Sequence, residues 1–328
     1  MVLPLSRVTL TTFLCGVKAA ARALMLAICA CAPAAIAASQ TPQAPPTAYI
    51  CPMHPDVVSR TPGSCPRCSM ALALADPYDA REFFVDVTVT PAAPRHGTKT
   101  RLRLTVREPT TRAVVREFVA VHDRPYHLFV VGGDLESYDH VHPQQRRDGS
   151  FEIDITLPKP GFYRLYSDFL PLGAMPQVVP GSIGTAGFAG TLMSQRARLF
   201  PDETLTKAAG GLRVTLTLPA GGLVAGRDEK LRYHIVDAAD GTPATDIEPY
   251  LAAFGHTLVI SEDGLHYVHA HPAEMLPDGG ARLAGGPDLT FAALLPKPGR
   301  YRIWTQLKRR GVVSTVSFTV DAASPIER

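Results

Sequence analysis

The chain has 328 residues, of which 46% are hydrophobic, and it carries 33 Lys and Arg against 30 Asp and Glu. Its first 37 residues hold three of the basic residues and no acid, so the remainder is formally neutral. A neutral chain of this length favours two or more ordinary domains, and its charge gives no support for a nucleic-acid partner or an anionic membrane.

An export signal is predicted at the N-terminus. The basic residues there lead into the apolar run ALMLAICACAPAAIA, which ends in the small residues of a cleavage site at Ala37. This pattern is typical of a signal peptide over residues 1–37 rather than of a membrane span. We therefore expect a periplasmic or secreted protein with no transmembrane span in the mature chain. Lipid anchoring through Cys31 is the less favoured alternative, because Cys29 fits poorly in a lipobox.

Beyond the signal, the composition changes three times. Residues 38–48 are Pro-rich and predict an extended linker. Residues 49–76 are rich in Cys, Met, His and Pro and too short to bury a core unaided, so a metal ion or a neighbouring domain must hold them together. From residue 82 onward, runs such as RLRLTV and LRVTLTL alternate with period two, which predicts short strands and an all-β fold.

An internal repeat predicts two tandem β-sandwiches of the immunoglobulin type. The first copy reads YHLFVVGGDLESYDHVHP and then LPKPGFYRLYSDF, and the second reads FGHTLVISEDGLHYVHAHP and then LPKPGRYRIWTQL. The predicted sandwiches span residues 82–170 and 206–321, and a Gly-rich linker over residues 171–205 joins them.

Each copy of the repeat carries three histidines at the same spacing. Because side chains alternate along a strand, the two histidines of each His-x-His-Pro project from one face, and the Pro ends the strand pairing. The third histidine returns close to this pair if the intervening segment turns a hairpin. Three imidazoles per domain suit Cu(II) or Zn(II). These candidate second metal sites are His127, His140 and His142 in the first copy and His256, His269 and His271 in the second.

The sequence leaves other interpretations of these histidines open. His127 and His256 lie on apolar strands and are also consistent with core histidines bonded to backbone. The His-x-His pairs are also consistent with a polar rim that only caps a turn. The histidines without a counterpart in the other copy are expected to be surface or structural residues, namely His96, His122, His234 and His266.

All cysteines that follow the predicted signal lie within residues 49–76, where Cys-Pro-Arg-Cys has the spacing of a metal knuckle. Two thioethers beside three thiols favour a soft ion, so we expect Cu(I), with Zn(II) as the other option. The alternatives are a Cys65–Cys68 redox disulfide with Cys51 spare, and a purely structural zinc knuckle. The candidate metal ligands are Cys51, Met53, His54, Cys65, Cys68 and Met70.

The sequence offers no motif for catalysis. The predicted sandwiches contain no cysteine, which excludes a blue-copper centre. There is also no nucleophile elbow, Gly-rich phosphate loop or HExxH helix. We therefore predict that the protein is not an enzyme.

The motif Tyr49-x-Cys-Pro-Met-His-Pro, followed by Pro-Gly-x-Cys-Pro-x-Cys-x-Met-x-Leu, resembles the small heavy-metal-binding domain appended to copper-transporting P-type ATPases and to periplasmic adaptors of copper and silver efflux pumps. The resemblance covers residues 49–74 and implies metal handling by the six ligand positions named above. More loosely, the repeats resemble YtkA-like and cupredoxin-like sandwiches of secreted bacterial proteins, which bears on fold more than on function.

Together these features predict an exported heavy-metal-binding protein that takes part in metal sequestration, delivery or resistance, with copper as the expected metal. Its expected partners are metal ions and a metal-efflux pump or another envelope metal protein. The alternative is an envelope interaction module that docks on a metal-efflux system and whose histidines are structural.

Overall fold

The computed structural model describes residues 48–68, 70–272 and 284–325. The predicted signal peptide and the Pro-rich linker up to residue 47 lie outside these residues. Every regular element in the described part of the chain is a β-strand, which confirms the all-β prediction. Within the same residues, no helix could cross a lipid bilayer. The strands form a small N-terminal sheet and two β-sandwiches, as predicted.

The N-terminal domain is an antiparallel sheet of β1 (Ala48–Ile50), β2 (Val58–Ser59) and β3 (Ala73–Ala75), with β1 in the centre. Ile50 is fully buried, and Ala75 forms a bridge to Gly173 in the first sandwich. The two cysteine-bearing turns extend from this sheet, one after β1 and one before β3.

The first sandwich is built from two antiparallel sheets. In RLRLTV, Leu102 and Leu104 point into the core while Arg101 and Arg103 lie on the outer face, as the period-two pattern predicts. Its strands are β4 (Phe84–Thr90), β5 (Lys99–Arg107), β6 (Phe118–Val119), β7 (Tyr126–Gly132), β8 (Tyr138–Val141), β9 (Gln144–Gln145), β10 (Phe151–Thr156), β11 (Phe162–Pro171) and β12 (Gln177–Gly184). One sheet has the order β4-β5-β10-β9, and the other has the order β12-β11-β7-β8 with β6 beside β11.

The second sandwich repeats this plan. Its strands are β13 (Thr206–Ala209), β14 (Leu212–Thr217), β15 (Leu223–Val224), β16 (Asp228–Asp237), β17 (Ile247–Glu248), β18 (His256–Ser261), β19 (Tyr267–Ala270), β20 (Asp288–Leu294), β21 (Gly299–Arg309) and β22 (Val312–Ala323). One sheet has the order β13-β14-β16-β20, and the other has the order β15-β22-β21-β18-β19 with β17 beside β21. The hairpins β7-β8 and β18-β19 occupy equivalent places in the two sandwiches.

The predicted linker over residues 171–205 needs correction, because strand β12 lies inside it. This strand pairs along β11 from Phe162 to Phe169, so the first sandwich extends to Gly184. Its sequence, QVVPGSIG, contains Pro180 and Gly181, which are unusual within a strand and obscured it. An edge strand tolerates both residues because only one side of it must form ladder hydrogen bonds, and β12 is an edge strand.

The two sandwiches share a third hydrophobic core, which lies between them. Strands β7 and β18 are buried along both faces. On β7, Leu128 points into its own sandwich, while Phe129 packs in the shared core with Leu258 of β18 and Trp304 of β21. The Trp304 ring stacks on Tyr138 of the first sandwich at 5.1 Å between ring centroids. The face of each sheet that carries the repeated histidines is therefore the face that meets the other sandwich.

Candidate metal centres

The cysteines of the N-terminal domain converge because two tight turns fold back on the small sheet. In the first turn, the Cys51 amide donates to the Val57 carbonyl at 3.1 Å. In the second, the Cys65 amide donates to the Met70 carbonyl at 2.8 Å. All three cysteines are free thiols, so the structure does not form the alternative Cys65–Cys68 disulfide.

Four donor atoms meet between these turns. The Sγ atoms of Cys51 and Cys65 each lie 3.6 Å from His54 Nδ1, and Cys51 Sγ lies 3.5 Å from Cys68 Sγ. All four atoms lie within 4.8 Å of one another. Bonds of about 2.3 Å to sulfur and about 2.0 Å to nitrogen fit a tetrahedral ion at the centre of such a set. The geometry is that of a four-coordinate Cys3His metal site.

The thiols of this set are electrostatically linked. Hydrogen bonds with the Cys68 sulfur, the His54 ring, the Met53 amide and Cys65 together lower the pKa of Cys51 to about 4, against the cost of burial. The same contact with Cys51, together with burial, raises the pKa of Cys68. The pair therefore holds one thiolate and one thiol at neutral pH, and a metal ion would displace the remaining proton.

The two predicted thioether ligands lie beside this set, and their backbones contribute to it. The amide of Met53 donates to the Cys51 sulfur, and the amide of Met70 donates to the Cys68 sulfur. The Met53 side chain lines a gap of about 160 Å³ shared with His54, Cys68 and the second-sandwich histidines. Met70 lines a neighbouring gap of about 440 Å³ with Cys68. Both methionines thus line gaps between the small domain and the sandwiches.

In the first sandwich, the hairpin β7-β8 brings three histidines together. His127 Nδ1 lies 3.0 Å from His140 Nε2, and His142 Nε2 lies 3.1 Å from the same atom. One nitrogen from each ring falls within 4.8 Å of the others. His127 and His140 are buried, and His142 is partly buried. We call this set the first triad.

The second triad, formed by His256, His269 and His271, lies on the hairpin β18-β19, and one nitrogen from each of its rings is also within 4.8 Å of the others. The two hairpins have the same ladder register, because Leu258 pairs with His269 as Phe129 pairs with His140. In both hairpins the first and last histidines of the triad lie one position beyond the last ladder pair, which is Leu128 with Val141 or Thr257 with Ala270. The predicted return of each strand histidine to its His-x-His pair is thus what the hairpins produce.

Hydrogen bonds fix which ring nitrogen is free in each triad. A carbonyl oxygen can only accept, so His127 Nε2 donates to the Val121 carbonyl at 2.9 Å, and His256 Nε2 donates to the Tyr250 carbonyl at 2.8 Å. The Nδ1 atoms of both rings then present lone pairs to their triads. These strand histidines are bonded to backbone, as one interpretation of the sequence expected, and are still oriented as ligands.

The free nitrogens of the second triad accept no hydrogen bond from any described residue, although they are buried. They are His256 Nδ1, His269 Nε2 and His271 Nε2. A buried polar atom without a partner costs about 1–3 kcal/mol, and three that face one another add lone-pair repulsion. A bound cation removes both costs, so these residues fit a metal ion.

For His122 the sequence allows a surface or a structural role, and its burial rules out the surface one. The structure buries it at the edge of the second triad, where its ring stacks on His271 at 3.5 Å between centroids and lies 5.5 Å from His256. It sits in a tight turn with φ of 49°, at the place that Leu251 (φ 51°) occupies in the other repeat. Because the repeat replaces it by Leu251, internal comparison could not find it.

Two polar residues next to the triads were also missed by sequence reasoning. Asp168 of β11 accepts hydrogen bonds from His269 Nδ1 at 3.1 Å and from the Tyr267 hydroxyl at 2.7 Å. Gln306 of β21 accepts from His140 Nδ1 at 3.0 Å. They could have been noticed in the sequence because Asp168 and Gln306 occupy the same position, the sixth, of the repeated segments YRLYSDF and YRIWTQL.

Burial keeps most of these imidazoles neutral. Loss of hydration lowers the pKa of His122 and His142 to about 3 and that of His127 to about 4. It also lowers three others well below their usual range, namely the pKa values of His140, His256 and His271. Burial opposes ionisation of Asp168, but the bond from His269 and the nearby imidazoles hold its pKa below its ordinary value. Neutral rings with free lone pairs are the form that binds metal.

The remaining histidines lie elsewhere. His96 and His234 are exposed. His266 lines a cavity of about 800 Å³, together with Tyr166 and Leu265. No residue of the Cys3His set or of the two triads lines this cavity, so it is not part of a candidate metal site.

Comparison with known proteins identifies both parts of the chain. The family model for a domain of unknown function, DUF8832, matches residues 81–179 and 207–324, which are the two sandwiches. The chain belongs to this family. A second family model, the heavy metal binding domain, matches residues 48–73. This DUF8832 protein is therefore a metal-binding protein that carries a heavy-metal-binding domain before its sandwiches.

Similarity to individual proteins is short or distant. A copper-transporting P-type ATPase from Rhizobium leguminosarum bv. viciae is 60% identical over 37 residues, which are 10% of this chain and 4% of the ATPase. The Escherichia coli adhesin FdeC is 13% identical, with a TM-score of 0.22 over 73% of this chain and 64% of that chain. A two-domain fibronectin type III segment of chicken tenascin is 13% identical, with a TM-score of 0.19 over 74% and 99%.

The buried neutral imidazoles predict acid sensitivity of the metal-free protein. Unfolded histidine titrates near pH 6.5, so between that pH and the lower folded values the unfolded chain binds more protons. The free energy of unfolding should reach its full value above about pH 6.5 and decrease as the pH drops. Each buried imidazole should contribute about 1 kcal/mol per pH unit to this decrease. Urea unfolding followed by the fluorescence of Trp304, from about pH 7.5 to 5, measures this slope.

A matched pair of variants measures the contribution of one buried histidine to this pH dependence. His122→Leu introduces the residue found in the other repeat and should reduce the number of protons taken up on unfolding by about one. His96→Leu, at an exposed position, should leave that number unchanged. Equal slopes in the two variants would contradict the buried, neutral state of His122.

Proposed function

We propose that this protein is an exported, non-enzymatic copper-handling protein that sequesters the metal or delivers it to a metal-efflux pump or another envelope metal protein. One observation carries the proposal: a Cys3His site lies beside two buried histidine triads in a single compact fold, so the protein commits ten donor residues to metal and offers no catalytic motif. Four of these donors belong to the heavy-metal-binding domain.

Copper is proposed over zinc because of the chemistry of the donors at the N-terminal site. Three thiols and the flanking thioethers of Met53 and Met70 form a soft environment, which suits Cu(I). The relative that shares this segment is described as a copper-transporting ATPase. Zn(II) is the alternative ion, because a Cys3His set also suits zinc by geometry.

The two kinds of site suit two oxidation states. Imidazole triads accept Cu(II) or Zn(II), whereas the thiol site accepts Cu(I). The sandwiches, on this proposal, are cupredoxin-like scaffolds for the histidine sites without an electron-transfer role. The docking-module alternative expects the histidine rings to point apart, and converging ring nitrogens in both triads favour the metal-binding proposal instead.

Titration of the mature protein with Cu(I) under a competing chelator tests the soft site. We expect the wild-type chain to hold at least one tight equivalent and Cys65→Ser/Cys68→Ser to lose it, because two of the four converging donors are removed. Ser59→Ala/Ser64→Ala changes two residues of the same small domain and should bind like wild type. Retention of the tight equivalent by the cysteine variant would refute the site, and a preference for Zn(II) in competition would refute copper.

The export part of the proposal has its own test. Expressed in a Gram-negative host, the protein should be recovered from the periplasm with an N-terminus at Ala38, and Ala37→Arg should block this processing, whereas Ala34→Leu should not. Mass spectrometry of the recovered chain measures the N-terminus. An intact Met1 on cytoplasmic protein, or an acylated Cys31, would overturn the predicted route.

A further inference from the structure

The two triads face each other across the boundary between the sandwiches. The His127 ring lies 5.5 Å from that of His269, and the His140 ring lies 5.7 Å from His256 and 5.6 Å from His269, between ring centroids. The sequence predicts one separate site in each domain. The structure instead brings the two sites into ring-to-ring contact, because the histidine-bearing faces are the faces that pack together.

Each sandwich also positions a ligand of the other. Asp168 lies opposite His127 in the first sandwich, and Gln306 lies opposite His256 in the second, so the two residues occupy equivalent places. Asp168 nevertheless accepts its hydrogen bond from His269, and Gln306 accepts its own from His140. The side chains cross the boundary in opposite directions and hold the middle histidine of the opposite triad.

These crossed bonds decide which nitrogen those histidines offer. With Nδ1 donating to Asp168 or Gln306, the free lone pair of each middle histidine is on Nε2, the atom that faces its own triad. A hydrogen-bonded partner on the far nitrogen of a histidine ligand fixes the ring and raises its basicity. The middle histidine of each triad therefore takes its orienting hydrogen-bond partner from the other sandwich.

The two crossed bonds differ in charge. Asp168 is a carboxylate that also accepts a hydrogen bond from the Tyr267 hydroxyl at 2.7 Å, whereas Gln306 accepts with a neutral amide oxygen. A carboxylate partner makes a histidine a stronger ligand than an amide partner does. The second triad should therefore bind a divalent cation more tightly than the first triad.

We propose that the two triads form one two-metal centre, which takes a pair of Cu(II) or Zn(II) ions at the boundary between the sandwiches and in which Asp168 and Gln306 act as crossed positioning residues. The inference rests on the proposed metal-binding function and adds to it the pairing of the ions and their unequal affinity. A nitrogen ligand sits about 2 Å from its metal, so rings 5.5 Å apart place the two ions within roughly 12 Å of each other. Two Cu(II) ions at that separation show dipolar coupling in electron paramagnetic resonance.

The experiment uses the full mature chain with Cys51→Ser/Cys65→Ser/Cys68→Ser, which removes the thiols that would reduce Cu(II) and leaves the triads intact. Titration should give two Cu(II) per chain, bound in two steps, and the resonance spectrum of the fully loaded protein should be broadened by coupling. Sharp, uncoupled signals at full loading would overturn the two-metal centre. This arm requires no change at the positioning residues, so it does not depend on how those variants fold.

Single-site backgrounds test the crossed positioning. With His142→Ala, the second triad alone is intact, and there Asp168→Asn should weaken Cu(II) binding by about 10- to 100-fold. With His271→Ala, the first triad alone is intact, and there Asp168→Asn should have little effect while Gln306→Leu weakens binding and Gln306→Glu strengthens it. A tighter first site in Gln306→Glu is a result that loss of packing could not produce.

Asp154→Asn, in strand β10 of the β4-β5-β10-β9 sheet, is the matched control and should bind like its parent in both backgrounds. The positioning role is overturned if Asp168→Asn leaves the second triad unchanged or if it weakens both triads equally. Failure of the Cu(I) titration at the thiol site would overturn the proposed soft site while leaving these outcomes readable, so the two proposals fail separately.

Discussion

The packing of one sandwich against the other is the constraint on which the candidate sites depend. Strands β7 and β18 each give one face to their own sandwich and the other face to the shared core around Phe129, Leu258 and Trp304. Because side chains two apart on a strand share a face, His127 and His256 are carried into the same boundary. The apolar contact therefore encloses the imidazoles, removes their hydration and brings the two triads together.

This enclosure explains both the chemistry and its cost. A histidine in water is a weak base near neutral pH, whereas burial here holds the rings neutral with their lone pairs turned inward. Orphaned nitrogens in a buried cluster destabilise a fold unless something binds them. The heavy-metal-binding domain lies over the same cluster, with Met53 and Cys68 lining a gap that also reaches His269 and His271. A thiol-rich donor set and a histidine-rich one are thus neighbours in one protein, and under the proposed function they would hold copper in its two oxidation states.

Local pattern was enough to predict much of this molecule. Period-two alternation gave the strands, the repeat gave two sandwiches, and the spacing of His127, His140 and His142 gave a hairpin that closes the triad. The alternation of residues within a strand does not predict how one domain packs on another, because it does not determine what covers the second face of the strand. For that reason the contact between triads and the crossed roles of Asp168 and Gln306 were not predicted. His122 was missed because only one repeat carries it, and β12 was missed because its Pro and Gly are typical of a linker.

Anomalous diffraction from crystals of the copper-loaded mature protein would locate every bound metal ion. We expect one copper peak among the sulfurs of Cys51, Cys65 and Cys68 with His54, and two peaks at the sandwich boundary, one in each histidine triad. Peaks confined to exposed residues such as His96, with none at the boundary, would contradict it.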